Sequence, residues 1–106
     1  MKNRADLVRS WLRKAESDLA AAELALTAGR ALDAACFHAQ HAAEKYLKAY
    51  LIWAGRDFPF THNLSTLLDV CAAEDPAFSS LHAIAEPLTP YAVELRYDQE
   101  FWPTLE

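Results

Sequence analysis

Glycine is almost missing from this chain. Gly29 and Gly55 are the only two in 106 residues, while 53% of the sequence is hydrophobic. Sheet proteins need many turns with positive φ, so this scarcity argues against a turn-rich β fold, and the apolar content argues against a disordered tail. Cysteine is equally sparse. Cys36 and Cys71 are too few and too far apart for a disulfide framework or a cysteine-built zinc site, and are expected as reduced, packed thiols. No long uncharged stretch exists either. Charges interrupt every apolar run well short of the roughly 20 residues that span a bilayer. Nor does a secretory apolar segment follow the opening Met1-Lys2-Asn3-Arg4-Ala5-Asp6, so a cytoplasmic location without membrane contact is expected. Cations are also in deficit: ten Lys and Arg against 15 Asp and Glu give a net charge of −5. Such a balance opposes non-specific gripping of DNA, which depends on accumulated basic residues, and leaves room only for a local nucleic-acid contact.

What the chain does contain is helix-forming material. Alanine is abundant, and Ala, Leu, Glu, Lys and Arg lose least side-chain entropy in a helix. The length suits one domain over residues 1–106. Leu7, Trp11, Ala15, Leu19, Ala22 and Leu26 recur every three or four residues and predict a first helix to Ala28, with Asn3 as N-cap, Asp6 in the first turn and Gly29 as the stop. Its outer face carries Arg9, Arg13, Glu16 and Glu23. A second helix is expected from about Ala31 to Ala54, ended by Gly55, with Leu32, Ala35, Ala39, Ala42, Ala43, Tyr46, Leu47, Tyr50 and Leu51 inward. Phe58-Pro59-Phe60 cannot continue it, and Thr61 and Asn63 are good caps for a third helix, Leu64 to about Ala73. Asp75-Pro76 breaks that helix. Phe78, Leu81, Ile84 and Ala85 suggest a fourth, after which Pro87 and Pro90 force a kink or restart. The fold class expected is therefore all-α, an up-and-down bundle of four to five helices. Phe101-Trp102-Pro103-Thr104-Leu105-Glu106 has the make-up of another helix start, so a further helix is expected beyond it.

One feature of the second helix points to function. Gln40, His41, Glu44, Lys45 and Lys48 fall three, four and seven apart, which places them on a single polar ridge, expected to turn outward or toward a mate. Such a ridge can orient a phosphate, its lysines acting as point charges and Glu44 fixing one of them. It can equally be a solvated face with an i, i+4 pair of Glu44 and Lys48, worth a few tenths of a kcal/mol. His38, His41 and Glu44 are side chains of ligand type, but two steps of three residues sweep the third well away from the first, unlike an i, i+4 histidine pair, so no metal is expected. No other cofactor is expected. His62 serves either as a structural hydrogen-bonding residue at a helix start or as a general acid or base. Arg96 stands among Tyr91, Glu94, Tyr97 and Asp98 and is either paired there or offers its planar fork to phosphate. Trp11, Trp53 and Trp102 with Tyr46, Tyr50, Tyr91 and Tyr97 are many aromatics for so small a domain; most are expected in the core, and a surplus beyond it would form an apolar patch of the kind that serves as an oligomer or partner surface.

The run Phe37-His38-Ala39-Gln40-His41-Ala42-Ala43-Glu44-Lys45-Tyr46-Leu47-Lys48-Ala49-Tyr50-Leu51, followed by Gly55, Phe58-Pro59 and Thr61-His62-Asn63-Leu64, resembles the second helix and following turn of HEPN domains, the higher eukaryotes and prokaryotes nucleotide-binding domains. Asp18-Leu19 with Ala22, and Arg96-Tyr97-Asp98, are similar to the flanking positions of that family. The resemblance implies a helical bundle that often dimerises. It also implies a minimal nucleotidyltransferase as partner in a toxin and antitoxin pair, or, in another branch, a metal-independent ribonuclease. That branch carries an Arg followed four to six residues later by His on the late helices. Here Arg96 is followed by Tyr97, Asp98, Gln99, Glu100, Phe101 and Trp102, without a histidine. Arg56 and His62 satisfy the spacing, but in the turn after the second helix, where the match reads as a coincidence of letters. Three functions are thus in competition. The first is a dimer that binds a nucleotide, RNA or a nucleotidyltransferase through the ridge and Arg96. The second is a ribonuclease using Arg96, or Arg56 with His62. The third is a bundle devoted to protein association.

Overall fold

A computed structural model describes residues 3–91, and within them the regular structure is helical throughout. The first helix, α1 (Arg4–Ala28), begins where local chemistry dictates. Asn3 accepts a hydrogen bond from the Asp6 amide while the Asp6 carboxylate takes one from Asn3, a reciprocal cap that satisfies two orphan donors. Gly29, at φ 67°, ends it in the left-handed conformation. After a tight turn, α2 (Leu32–Trp53) runs back antiparallel, as Trp11 meeting Lys48 and Asp18 meeting Lys45 require. Its C-terminus is tied off by Gly55 at φ 76°, whose N–H bonds Ile52 while Arg56 N–H bonds Leu51.

The connection from Gly55 to Asn63 does not simply turn over. It returns along α2, so that His62 stands against Gln40 and Glu44 near the middle of that helix. α3 (Leu64–Glu74) then starts from an Asn63 cap on the Thr66 amide and finishes with Glu74 on Arg56, beside the end of α2. Asp75 caps a 3₁₀ segment, Pro76–Leu81, followed by a single α-turn, α4 (His82–Ala85), and a second 3₁₀ segment, Glu86–Tyr91. The fourth helix expected over residues 77–86 is thus mostly 3₁₀. Pro76, Pro87 and Pro90 each remove an N–H donor, and an α-ladder has too few left to extend.

The core of the described residues gathers Leu47 and Leu51 of α2, Leu64, Leu67, Leu68 and Cys71 of α3, and Ala85. α3 turns Leu64, Leu67, Leu68 and Cys71 inward, at the three- and four-residue spacing of one helix face. Burial pushes the Cys71 thiol up to about 11, and its Sγ faces the Leu47 carbonyl; Cys71 and Cys36 are both free. The stripe of α1 fares differently. Ala15 and Ala22 are buried, but Leu7, Leu19 and Leu26 are exposed. The α3 core covers the C-terminal half of α2, so beyond its middle α1 has only α2 against it, which accounts for the exposure of Leu19 and Leu26 but not for that of Leu7. Tyr46, expected inward, is also exposed, beside an apolar cavity of about 360 Å³ between α2, α3 and α4. Leu81 and Ile84 line that cavity from exposed positions. No helix among the described residues is long and apolar enough to cross a membrane.

Candidate functional site

The polar ridge of α2 does not face outward. Gln40, Glu44 and Lys48 are 0%, 4% and 7% exposed, and they form a seam closed by α1 on one side and by the 55–63 connection on the other. The expectation of an outward strip fails for a tertiary reason: both neighbouring segments bring groups that match the ridge. Lys48 Nζ donates to Glu44 Oε2 at 2.8 Å and lies over the rings of Trp11 and Phe58, 5.7 and 5.4 Å from their centroids. Those two rings meet edge to face at 6.0 Å, so the ammonium has a carboxylate on one side and π faces on the others.

The other oxygen of Glu44 holds His62 Nδ1 at 2.9 Å. In the neutral ring, a carboxylate at that nitrogen favours the tautomer with the proton on Nδ1, which leaves Nε2 of the half-exposed side chain as an acceptor. Gln40 fixes the same residue from behind, its Nε2 donating to the His62 carbonyl at 2.7 Å. That carbonyl also settles the orientation of the amide, since the flipped form would set two acceptors against each other. Oε1 of Gln40 is buried without a hydrogen-bond partner among the described residues. Burial alone would raise the Glu44 carboxyl, but hydrogen bonds from Lys48 and His62 outweigh it and hold the group below its ordinary value.

One turn up the seam the pattern repeats. Asp18 of α1 accepts from Lys45 Nζ at 2.5 Å and meets His38 Nδ1 at 2.9 Å. Its carboxyl too is pushed up by burial and brought lower still by Lys45 and His38. His41 stands between the two clusters, with Phe37 at 4.3 Å and His62 at 5.9 Å between ring centroids. No three His, Cys, Asp or Glu among the described residues converge as metal ligands.

A family model for the HEPN domain matches residues 8–106. This chain belongs to the HEPN domain family. Neither the curated proteins nor the solved structures searched gave a match. In this HEPN domain the ridge residues Gln40, His41, Glu44, Lys45 and Lys48 are brought together as their spacing predicted, with the charge of each lysine taken up by a carboxylate. Arg56 and His62 are not brought together within the chain. Arg56 holds Glu74 at the end of α3, and His62 holds Glu44 just ahead of its start, so about 16 Å of helix lies between the two. Arg96 lies outside the described residues, as does the stretch Phe101 to Glu106.

Sequence reasoning missed Asp18 as the partner of Lys45, and Trp11 and Phe58 as the walls around Lys48. A signal for the first was present: Trp11 and Asp18 are seven residues apart and so share one flank of α1. For Phe58 there was none, because its contact depends on the connection folding back along α2.

Proposed function

We propose that this HEPN domain is a binding module that forms a homodimer and engages a nucleotide or RNA, or a minimal nucleotidyltransferase partner, as one component of a cytoplasmic toxin–antitoxin-like pair. The observation that carries this reading is the pair of Glu44 and His62. A buried carboxylate holds the imidazole and the Gln40 amide holds the backbone carbonyl of the same residue, so the ring is fixed at the surface, which is the preorganisation a polar ligand contact requires. Self-association is supported by the exposed Tyr46, Leu81 and Ile84 around an apolar cavity. Binding is favoured over cleavage because Arg96 is not followed by a histidine at the spacing of the ribonuclease branch.

Thermal melting of the full chain with and without ATP or a short RNA tests the reading. A ligand selective for the native state raises the melting temperature by mass action. A rise at millimolar ATP or micromolar RNA is expected, together with a dimer mass in sedimentation. No shift with either ligand would leave association alone as the function. Metal-independent RNA cleavage that Arg96→Ala abolishes would replace the binding reading with a ribonuclease.

A further inference from the structure

The cations of α2 are neutralised, which directs attention to those that are not. Lys45, Lys48, Arg56 and Arg9 each hold a carboxylate, whereas Arg4, Arg13, Lys14 and Arg30 have no acidic partner among the described residues, and of these Lys14 lies beside Trp11 and Arg4 beside Gly55. Arg4, Trp11 and Lys14 follow one another at steps of seven and three, so they share a flank of α1, the flank that borders the 55–63 connection. Lys14 Nζ lies 5.2 Å from the Trp11 ring centroid. The Arg4 guanidinium lies against Gly55, where a Cβ would come within 3.4 Å of it. Phe58 packs on Trp11, and Phe60, two residues on and so within about 7 Å along the chain, is fully exposed. Asp6, the acid nearest in sequence on this helix, is engaged by Arg9 and by the helix cap. An acidic protein therefore carries one surface on which two unpaired cations, about 15 Å apart along a helix, flank an aromatic pair and an uncovered phenyl ring.

We propose that this surface, Arg4, Trp11 and Lys14 with Phe60 of the connection, docks single-stranded RNA, a proposal that rests on the nucleotide or RNA reading above. The cations take backbone phosphates and Phe60 stacks on an unpaired base, the combination by which single strands are held with little sequence preference. A duplex keeps its bases stacked inside and offers Phe60 nothing. The surface adjoins the seam, since Phe58 and His62 belong to the same connection, so a strand lying here passes His62.

Fluorescence anisotropy with labelled oligouridylate tests this on the full chain. Phe60 is solvent-exposed, so Phe60→Ala is expected to keep the wild-type melting temperature while weakening binding about tenfold. The double variant Arg4→Gln/Lys14→Gln is expected to weaken binding and to reduce the slope of log affinity against log salt by about 1.4, two phosphate contacts on a single strand. Arg30→Gln, which removes one positive charge in the turn between α1 and α2, is expected to leave affinity within twofold. The proposal is overturned if the Phe60 and double variants bind as wild type does, if Arg30→Gln weakens binding equally, or if a duplex binds as tightly as the single strand. Wild-type protein that binds ATP but no RNA overturns this proposal and spares the nucleotide reading. Protein that binds neither sinks both.

Discussion

Glu44 and His62 are joined at 2.9 Å across the middle of the molecule, a carboxylate from the interior of α2 meeting an imidazole from the turn that precedes α3. This bond and its neighbour from Gln40 pin the returning connection to the helix it has just left.

Stability should fall in acid through this seam. Glu44 and Asp18 ordinarily titrate near 4.5 and 3.8, and in the folded chain both are held lower by their Lys and His partners against the effect of burial. Below about pH 5 the unfolded chain begins to take up protons that these two carboxylates refuse in the folded state, so unfolding is favoured as pH drops. Their contribution is complete above that point and disappears as pH falls through their lowered values. Urea midpoints between pH 3 and 7 are expected to decline below about pH 5, and Asp18→Asn to flatten the decline. An unchanged midpoint across that range would show that neither carboxylate is linked to folding.

The turn between α1 and α2 makes two substitutions act with opposite sign. Gly29 at φ 67° and Ala31 at φ 53° both occupy the left-handed region, but only Gly29 does so without a Cβ penalty. That penalty is about 1–2 kcal/mol for an L-residue, partly offset by the greater freedom glycine gives the unfolded chain. Ala31→Gly should therefore stabilise by about 0.5–1 kcal/mol, and Gly29→Ala should destabilise by a similar amount. No atom lies within 4 Å of a Cβ built at Gly29, so its cost is backbone strain alone. Chemical denaturation of the two variants checks the signs, and a loss of stability in Ala31→Gly would refute the argument.

The start of α1, both glycine stops and the limits of α3 were legible in the sequence because each depends on residues within one helical turn. Asn3 with Asp6, Gly29, Gly55 and Asn63 act on their own neighbours. The ridge on α2 was legible as a set for the same reason, since helical periodicity alone places its members together. Its direction was not. A helix apolar on one side and charged on the other reads as half solvated, and only the arrival of Asp18 from α1 and His62 from the connection turns the charged side inward. The 3₁₀ character of residues 76–91 was half visible: the prolines announced a break, but which hydrogen-bond pattern would replace the α-ladder depends on packing against α3. Arg96 stands outside the described residues, so the late-helix half of the family resemblance rests on sequence alone.

The pair of Glu44 and Lys48 separates a structural charge from a solvated one. Their side chains are 5% and 9% exposed, so the pair that one of the two sequence readings made a surface contact worth tenths of a kcal/mol is a buried one. Glu44→Gln leaves an ammonium among Trp11 and Phe58 with no counter-ion, and breaking a buried pair in this way costs about 3–5 kcal/mol. Lys48→Met leaves Glu44 with His62 still in place, and a smaller loss is expected. In the double variant no uncompensated ammonium remains, and the flexible thioether fills the space between the two rings. Its loss should therefore be well below the sum of the single losses, a coupling of 1 kcal/mol or more by the order of such cycles. Urea unfolding of the four proteins measures it. Additive losses would mean that water reaches Lys48 and that the seam is an outer face after all.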